Sequence, residues 1–183
     1  MKNVAVIGAG ITGMALANLL QKKVNLTVFE KSRGVGGRMA TRRAEPYQFN
    51  HGAQYFKIEN KEFKNFLQPL IQNKIIKHLE ANHIDILNKE VIKRTKTYNK
   101  IYYTPVSKMN SVVKYLINNN FFIKLLCKID KTIKENDKWF IIDSDNASYG
   151  PYDWLFITIP PNQALEILYN NFKFLDIIKK IKM

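Results

Sequence analysis

Apolar residues recur along this chain with several spacings, and each spacing predicts a different element. Val4, Val6 and Ile7 stand in a run that is apolar almost throughout, the mark of a parallel strand covered on both faces. Met14, Leu16, Ala17, Leu19 and Leu20 then predict a helix, and a second apolar run ending at Glu30 predicts another strand. Residues 40–43 continue a short predicted helix begun at Gly36, which Glu45-Pro46 breaks. Residues 49–56 read as a short strand and turn around Gly52. Phe63, Phe66, Leu67 and Leu70 fall at helical spacing and predict an amphipathic helix over 61–72. From Ile75 to Tyr103 the alternation is weak (Ile84 and Ile86, Val91 and Ile92, Ile101 and Tyr103) and predicts short antiparallel strands.

Ser111 is placed to cap a helix running to Leu116. Residues 121–129 and 139–143 predict two strands with a Lys/Asn/Asp connection, and 152–159 predict a third. Pro161 suits the first position of a helix over 163–169. The tail carries Phe172, Phe174, Leu175, Ile177, Ile178 and Ile181 in an amphipathic pattern; a membrane-surface helix is the alternative reading for it. Strand, helix, strand, then later strands predict an α/β chain with a parallel sheet.

The turns add chemistry to that outline. Gly8-Ala9-Gly10-Ile11-Thr12-Gly13 joins the first strand to the first helix. At that spacing Gly8 permits a sharp turn, Gly10 lets backbone approach a pyrophosphate, and Gly13 lets the helix lie close on the sheet. The helix N-terminus would meet the phosphates with unpaired N–H groups and a favourable dipole. Glu30 can accept both hydroxyls of an adenosine ribose and repels a 2′-phosphate, which disfavours NADP and leaves FAD or NAD. The alternative is a glycine-rich turn that only packs helix against sheet. A second cluster, Arg33-Gly34-Val35-Gly36-Gly37-Arg38-Met39, is not needed for NAD. It offers a flexible turn and an arginine able to pair with pyrophosphate oxygens.

Composition changes this picture little. The chain has 183 residues, 46% of them hydrophobic, enough for one substantial core. A formal net charge of +14 raises nucleic acid as a partner. The lysines are dispersed, no nucleic-acid motif is present, and the arginines gather at 33–43 beside the proposed phosphate site, so a solvated basic face is preferred. Cys127 is the one cysteine, in an apolar run, and reads as a buried small residue in a reducing compartment. Lys2 and the following apolar run imitate a secretory signal, but its removal would delete the glycine loop; the expectation is cytoplasmic. No apolar stretch is long enough to span a membrane.

With residues 30–39 followed by Gly52-Ala53-Gln54-Tyr55-Phe56, the chain resembles the FAD enzymes that include amine oxidases and protoporphyrinogen oxidases, and within them the bacterial renalase branch. The resemblance runs from Val4 to Lys182 and implies a Rossmann-like FAD-binding domain, built of a parallel sheet, helices and a small antiparallel meander. That domain would comprise 1–56 and 105–170, with part of a substrate domain at 57–104 and a truncated tail at 171–183. The cofactor is expected to be FAD, bound by Gly8, Gly10, Ile11, Thr12, Gly13, Glu30, Lys31, Gly36, Gly37 and Arg38. Lys128 or Ile129 would meet the adenine edge, and Thr158 belongs to the turn closing the nucleotide-binding sheet. Gln54 and Tyr55 would line the flavin; His51 reads as structural, and no metal is expected.

The implied activity is hydride transfer from a reduced nicotinamide-like small molecule to the flavin, which oxygen reoxidises. An amine donor is the alternative within the class. The family's chain is roughly twice this length, so this one is expected to be a truncated member without the second half, and two further readings stand: a non-catalytic nucleotide-binding remnant, or one half of a split flavoprotein whose other half is encoded separately.

Overall fold

The structure is a computed structural model and describes residues 1–96, 102–117, 120–168 and 173–181. The first elements are β1 (Asn3–Ile7), α1 (Ile11–Leu20), β2 (Asn25–Phe29) and a single 3-10 turn (Gly37–Met39). There follow β3 (Arg42–Ala44), β4 (Tyr47–Phe49), β5 (Phe56–Lys57), α2 (Lys61–Gln72), β6 (Ile76–His78), β7 (Asn82–Leu87), β8 (Glu90–Lys96), β9 (Tyr102–Pro105) and α3 (Asn110–Tyr115). The chain continues through β10 (Phe122–Lys124), β11 (Ile129–Glu135), β12 (Lys138–Asp143), β13 (Ser148–Tyr152), β14 (Trp154–Ile157), α4 (Pro161–Ile167) and α5 (Leu175–Lys179). These elements form two compact units, 1–37 with 116–183, and 38–115.

In the first unit a parallel sheet runs in the order β10-β2-β1-β14. β1 lies inside it, with Val4 paired to Leu26 on one side and to Trp154 on the other. Burial on both faces is why its sequence is apolar at successive positions: Val4, Ala5 and Val6 are wholly buried. Ala5, Ile7 and Phe29 form one core cluster with Cys127, Ile129, Ile141 and Ile167. That cluster joins the sheet to the antiparallel meander β11-β12-β13. Val4, Val6 and Val28 alternate to the opposite face, and α1 buries Met14 and Ala17. Thr132, in β11, is fully buried, and its hydroxyl donates to the carbonyl of Ile167 at the end of α4.

The second unit is assembled from small sheets: the hairpins β3-β4 and β7-β8, and the three-stranded β5-β9-β6. The predicted helix over 61–72 is α2, capped by Asn60, whose side chain accepts the Phe63 N–H at 2.7 Å. Leu67 and Leu70 are buried on it, and the Phe63 and Phe66 rings stack with centroids 6.4 Å apart.

Several expectations are corrected. Residues 40–43 do not continue a helix: the 3-10 turn ends at Met39, and Arg42–Ala44 pairs with Tyr47–Phe49 across the Glu45-Pro46 turn. Residues 50–55 contain no strand, and the second strand ends at Phe29, one residue before Glu30. The 121–129 stretch is not one strand. It leaves the parallel sheet at Lys124, turns at Leu126 with φ +55°, and starts β11 at Ile129, so the supposed Lys/Asn/Asp connection is mostly a strand. The 152–159 stretch is likewise divided at Asp153, between β13 and β14. Ser111 lies inside α3, which begins at Asn110, and its buried hydroxyl has no partner among the described residues, so it is not the cap. Pro161 does open α4, which ends at Ile167. The positions Ile101, Tyr169, Phe172 and Lys182 lie outside the described residues.

Candidate nucleotide-binding site

The carboxyl ends of β1 and β2 carry the glycine loop and Glu30. Gly8 has φ +102°, and a Cβ there would stand 2.8 Å from Cγ2 of Ile159, so only glycine makes this turn without strain. A Cβ on Gly13 would collide with the carbonyl oxygen of Gly8 and stand 2.7 Å from Oγ1 of Thr158. The missing side chain is what lets α1 start against the loop. Gly10 is different: a Cβ there meets no atom within 4 Å. It is the residue before α1, and it offers no side-chain cap to the first turn. The amides of Ile11, Thr12 and Gly13, in the first turn, have no intrahelical acceptor, and no acidic side chain occupies that turn.

Glu30 is 8% exposed and points at this loop. Its Oε2 accepts the Ala9 N–H at 2.8 Å, and Oε1 accepts the Ser32 N–H at 2.9 Å. A carboxylate has about four lone-pair directions, so each oxygen keeps one for a further donor. Gly36 adjoins the mouth: its N–H donates to the Ala9 carbonyl at 2.9 Å, and Gly36 and Gly10 are bridged in parallel. A Cβ on Gly37 would lie 3.3 Å from the Gly10 Cα.

Other expected site residues have different situations. The Thr158 hydroxyl donates toward the carbonyls of Ile7 and Gly8, at 2.9 and 3.0 Å, and therefore braces the loop. Lys31 is exposed and donates to Oε1 of Gln163 at 3.0 Å. The Lys128 carbonyl is taken by the Ser144 N–H, and Ile129 is buried in register with Asp143. Arg38 follows Gly37 directly and is exposed, the first residue of the second unit. Within that unit Gln54 is exposed and its carbonyl accepts from Thr104, while Tyr55 is 44% exposed with its ring edge-on to Tyr102. His51 is exposed.

Asp143 went unnoticed in the sequence. It is a buried carboxylate holding the turn between β12 and β13, and the short polar run 143–146 was its only signal. Its pKa lies below the usual carboxylate range, chiefly because it accepts from the Tyr149 hydroxyl, which is itself pushed up. The Asp153 carboxyl is also depressed, first by Lys138 at 2.6 Å and then by the Asn3 amide at 2.7 Å. Burial pushes the Cys127 thiol up.

A cavity of about 640 Å³ opens at the other end of the sheet, lined by residues including Asn3, Asn25, Thr27, Phe122 and Tyr152. Ligands of open α/β sheets bind outside the carboxyl ends of the strands, so this cavity is not the nucleotide site. Among the described residues no cluster could hold a metal, and no helix is long and apolar enough to cross a membrane.

The loop, the close-packed helix and the acid define a dinucleotide-binding Rossmann-like fold, and sequence comparison agrees. A family described as the NAD(P)-binding Rossmann-like domain matches residues 6–70. The putative protoporphyrinogen oxidase of Exiguobacterium sp. 255-15 superposes with a TM-score of 0.71 at 11% identity, covering 98% of this chain and 63% of that one. An oxidoreductase of Methanosarcina mazei gives 0.73 at 12% identity, covering 98% and 65%. The chain thus has an NAD(P)-binding Rossmann-like fold and shares its fold with these two proteins.

Renalase of Mus musculus is 29% identical over 180 residues, which are 91% of this chain and 49% of renalase. The 4,4′-diapophytoene desaturase of Staphylococcus haemolyticus is 44% identical over 50 residues, 27% of this chain and 10% of that one. The chain is thus similar to mouse renalase along most of its own length and spans about half the length of that relative.

Proposed function

We propose that this chain binds FAD by its ADP half and serves a flavin-dependent oxidoreductase of renalase type. The observation that carries the reading is Glu30, whose buried carboxylate bonds the Ala9 amide inside the glycine loop while each oxygen keeps a lone pair. Two ribose hydroxyls match those lone pairs. The open position beside Gly10 and the α1 amides suit a pyrophosphate, so the residues fit the cofactor.

In this reading Gly8, Gly10, Ile11, Thr12 and Gly13 shape the phosphate cradle and Glu30 fixes the ribose. Lys31, Gly36, Gly37 and Arg38 border the diphosphate. Ile129 borders the adenine, Thr158 braces the loop, and Gln54 and Tyr55 face the ring. FAD, when bound, supplies the hydride-accepting chemistry and its reoxidation by oxygen. The protein binds, orients and excludes water, and it needs no general base for hydride transfer. The hydride donor is a reduced nicotinamide-like small molecule. Residues 57–104 belong to the substrate side, and the chain works in the cytoplasm.

Reconstitution and calorimetry test this. The purified chain takes up FAD with a flavin absorbance band, binds ADP, and prefers ADP to its 2′-phosphorylated form. Glu30→Ala weakens ADP binding by roughly 1–3 kcal/mol and erases that preference. Folded protein that releases no heat with ADP or FAD overturns the proposal. Flavin reduction by an amine, and not by a reduced nicotinamide, would replace the donor and leave the cofactor reading intact.

A further inference from the structure

The geometry points to Asp143 as a positioning residue for the adenosine end of the nucleotide site, acting through Cys127 and Glu30. This rests on the reading of the site given above. Asp143 closes β12, 6% exposed. Its Oδ1 accepts the amides of Asp145 and Ala147, at 3.0 and 2.9 Å. Those two bonds hold the β12–β13 turn together with the backbone bonds from the Asp143 N–H to the Ala147 carbonyl and from the Asn146 N–H to the Asp143 carbonyl, both at 3.0 Å. Its Oδ2 points elsewhere, accepting the Tyr149 hydroxyl at 2.6 Å and the Cys127 thiol at 3.6 Å.

Cys127 lies in the strap 125–128, between β10 and β11. On one side the strap is tied to the loop that carries the acid. The Cys127 N–H donates to the Glu30 carbonyl at 3.0 Å, and the Leu126 N–H donates to the Ser32 carbonyl at 3.1 Å. On the other side the Ser144 N–H donates to the Lys128 carbonyl at 2.8 Å. A continuous hydrogen-bonded line therefore runs from Asp143 through Cys127 to Glu30 and on to the Ala9 amide. Buried polar atoms are costly unless paired, so each link has one low-energy arrangement. Removing the charge at Asp143 loosens the strap and with it one of the two backbone ties of Glu30, the other being the bond from the Glu30 N–H to the Lys124 carbonyl at 2.9 Å. Ribose contacts depend on that placement, whereas the phosphate cradle is built on Gly10 and α1.

The test is titration of the full chain with ADP and with inorganic pyrophosphate. Asp143→Asn weakens ADP about tenfold and leaves pyrophosphate affinity unchanged, a split that general destabilisation would not produce. Tyr149→Phe, which keeps the carboxylate and loses one bond, gives a smaller loss with the same split. If Asp143→Asn does not fold, the Tyr149→Phe split decides alone. Asp143→Asn added to Glu30→Ala weakens ADP no further, because the first acts through the second. Equal losses for both ligands, unaltered ADP affinity, or additive effects would overturn the inference. A folded wild-type chain that binds no ADP overturns the site reading itself, and this inference with it.

Discussion

The unit of residues 1–37 and 116–183 and the unit of residues 38–115 achieve order by different means. In the first, β1 pairs with a strand some twenty residues away and with another near the far end of the chain. Such pairing closes long loops before any contact repays the entropy. It persists because Val4, Ala5, Val6 and Val28 are stripped of water completely. In the second, two hairpins and a capped helix form between near neighbours in sequence, and the distant pairing is confined to short strands, with β9 joining β5 and β6 over two and three residue pairs. Ile84, Ile86 and Leu87, on β7, remain 51%, 65% and 58% exposed. Glu30 and the glycine loop belong to the first kind of region, where backbone groups are locked by core on both faces. The role proposed for Glu30, holding two ribose hydroxyls to fractions of an ångström, requires that support.

The largest effect that could break this comparison comes from the core beneath Glu30. Phe29 is 2% exposed, with its ring centroid 5.2 Å from Tyr149 and 6.2 Å from Tyr152. Phe29→Ala is expected to destabilise the first unit by about 3–5 kcal/mol. Urea denaturation followed by tryptophan emission reads this unit directly, because both tryptophans, Trp139 and Trp154, belong to it. A loss below about 1 kcal/mol would show that the sheet does not depend on this core.

The same contrast explains which features could be read from the residues alone. β1, α1 and the glycine turn were readable because close packing restricts them to a few residue types. Gly13 is the clearest case, since any side chain there strikes the Gly8 carbonyl. α2 was readable because its apolar face repeats locally. The stretch 121–129 was misread because Leu125 and Leu126 prolong an apolar run, although Leu126 is 74% exposed at a turn. Nothing local marks where a chain leaves one sheet for another; only the distant partners do. The strand at Arg42–Ala44 is set by its pairing with Tyr47–Phe49, which outweighs helix propensity over three residues. Asp143 escaped for a related reason. Its donors from Cys127 and Tyr149 meet only in the folded meander.

Acid should act on the first unit next most strongly. Asp143 and Asp153 both have pKa values held down in the folded state, by the Tyr149 hydroxyl and by Lys138 respectively. Unfolding returns each to an ordinary value near 3.9. Their stabilisation is therefore fully present above about pH 4 and declines as pH falls through the lower folded values. The midpoint of thermal unfolding, read by tryptophan emission, should stay level from pH 7 to about pH 5 and drop below about pH 4. Asp153→Asn should flatten that drop by removing one of the two groups. An acid limb unaltered by Asp153→Asn would take that carboxylate out of the account.

The smallest expected change sharpens the comparison from the other unit. Asn60 precedes α2 in extended backbone, and its Oδ1 accepts the Phe63 N–H at 2.7 Å. That single bond satisfies one of the helix's unpaired donors, so Asn60→Ala should cost about 1 kcal/mol. Asn60→Asp should recover the loss, since an acid accepts the same N–H and also faces the positive end of the helix dipole. Far-UV circular dichroism during denaturation checks both variants. If local capping specifies α2, the order is aspartate at least equal to asparagine, and both above alanine. Should alanine match asparagine, burial of Leu67 and Leu70 alone would hold the helix, and the second unit would be ordered by its core after all.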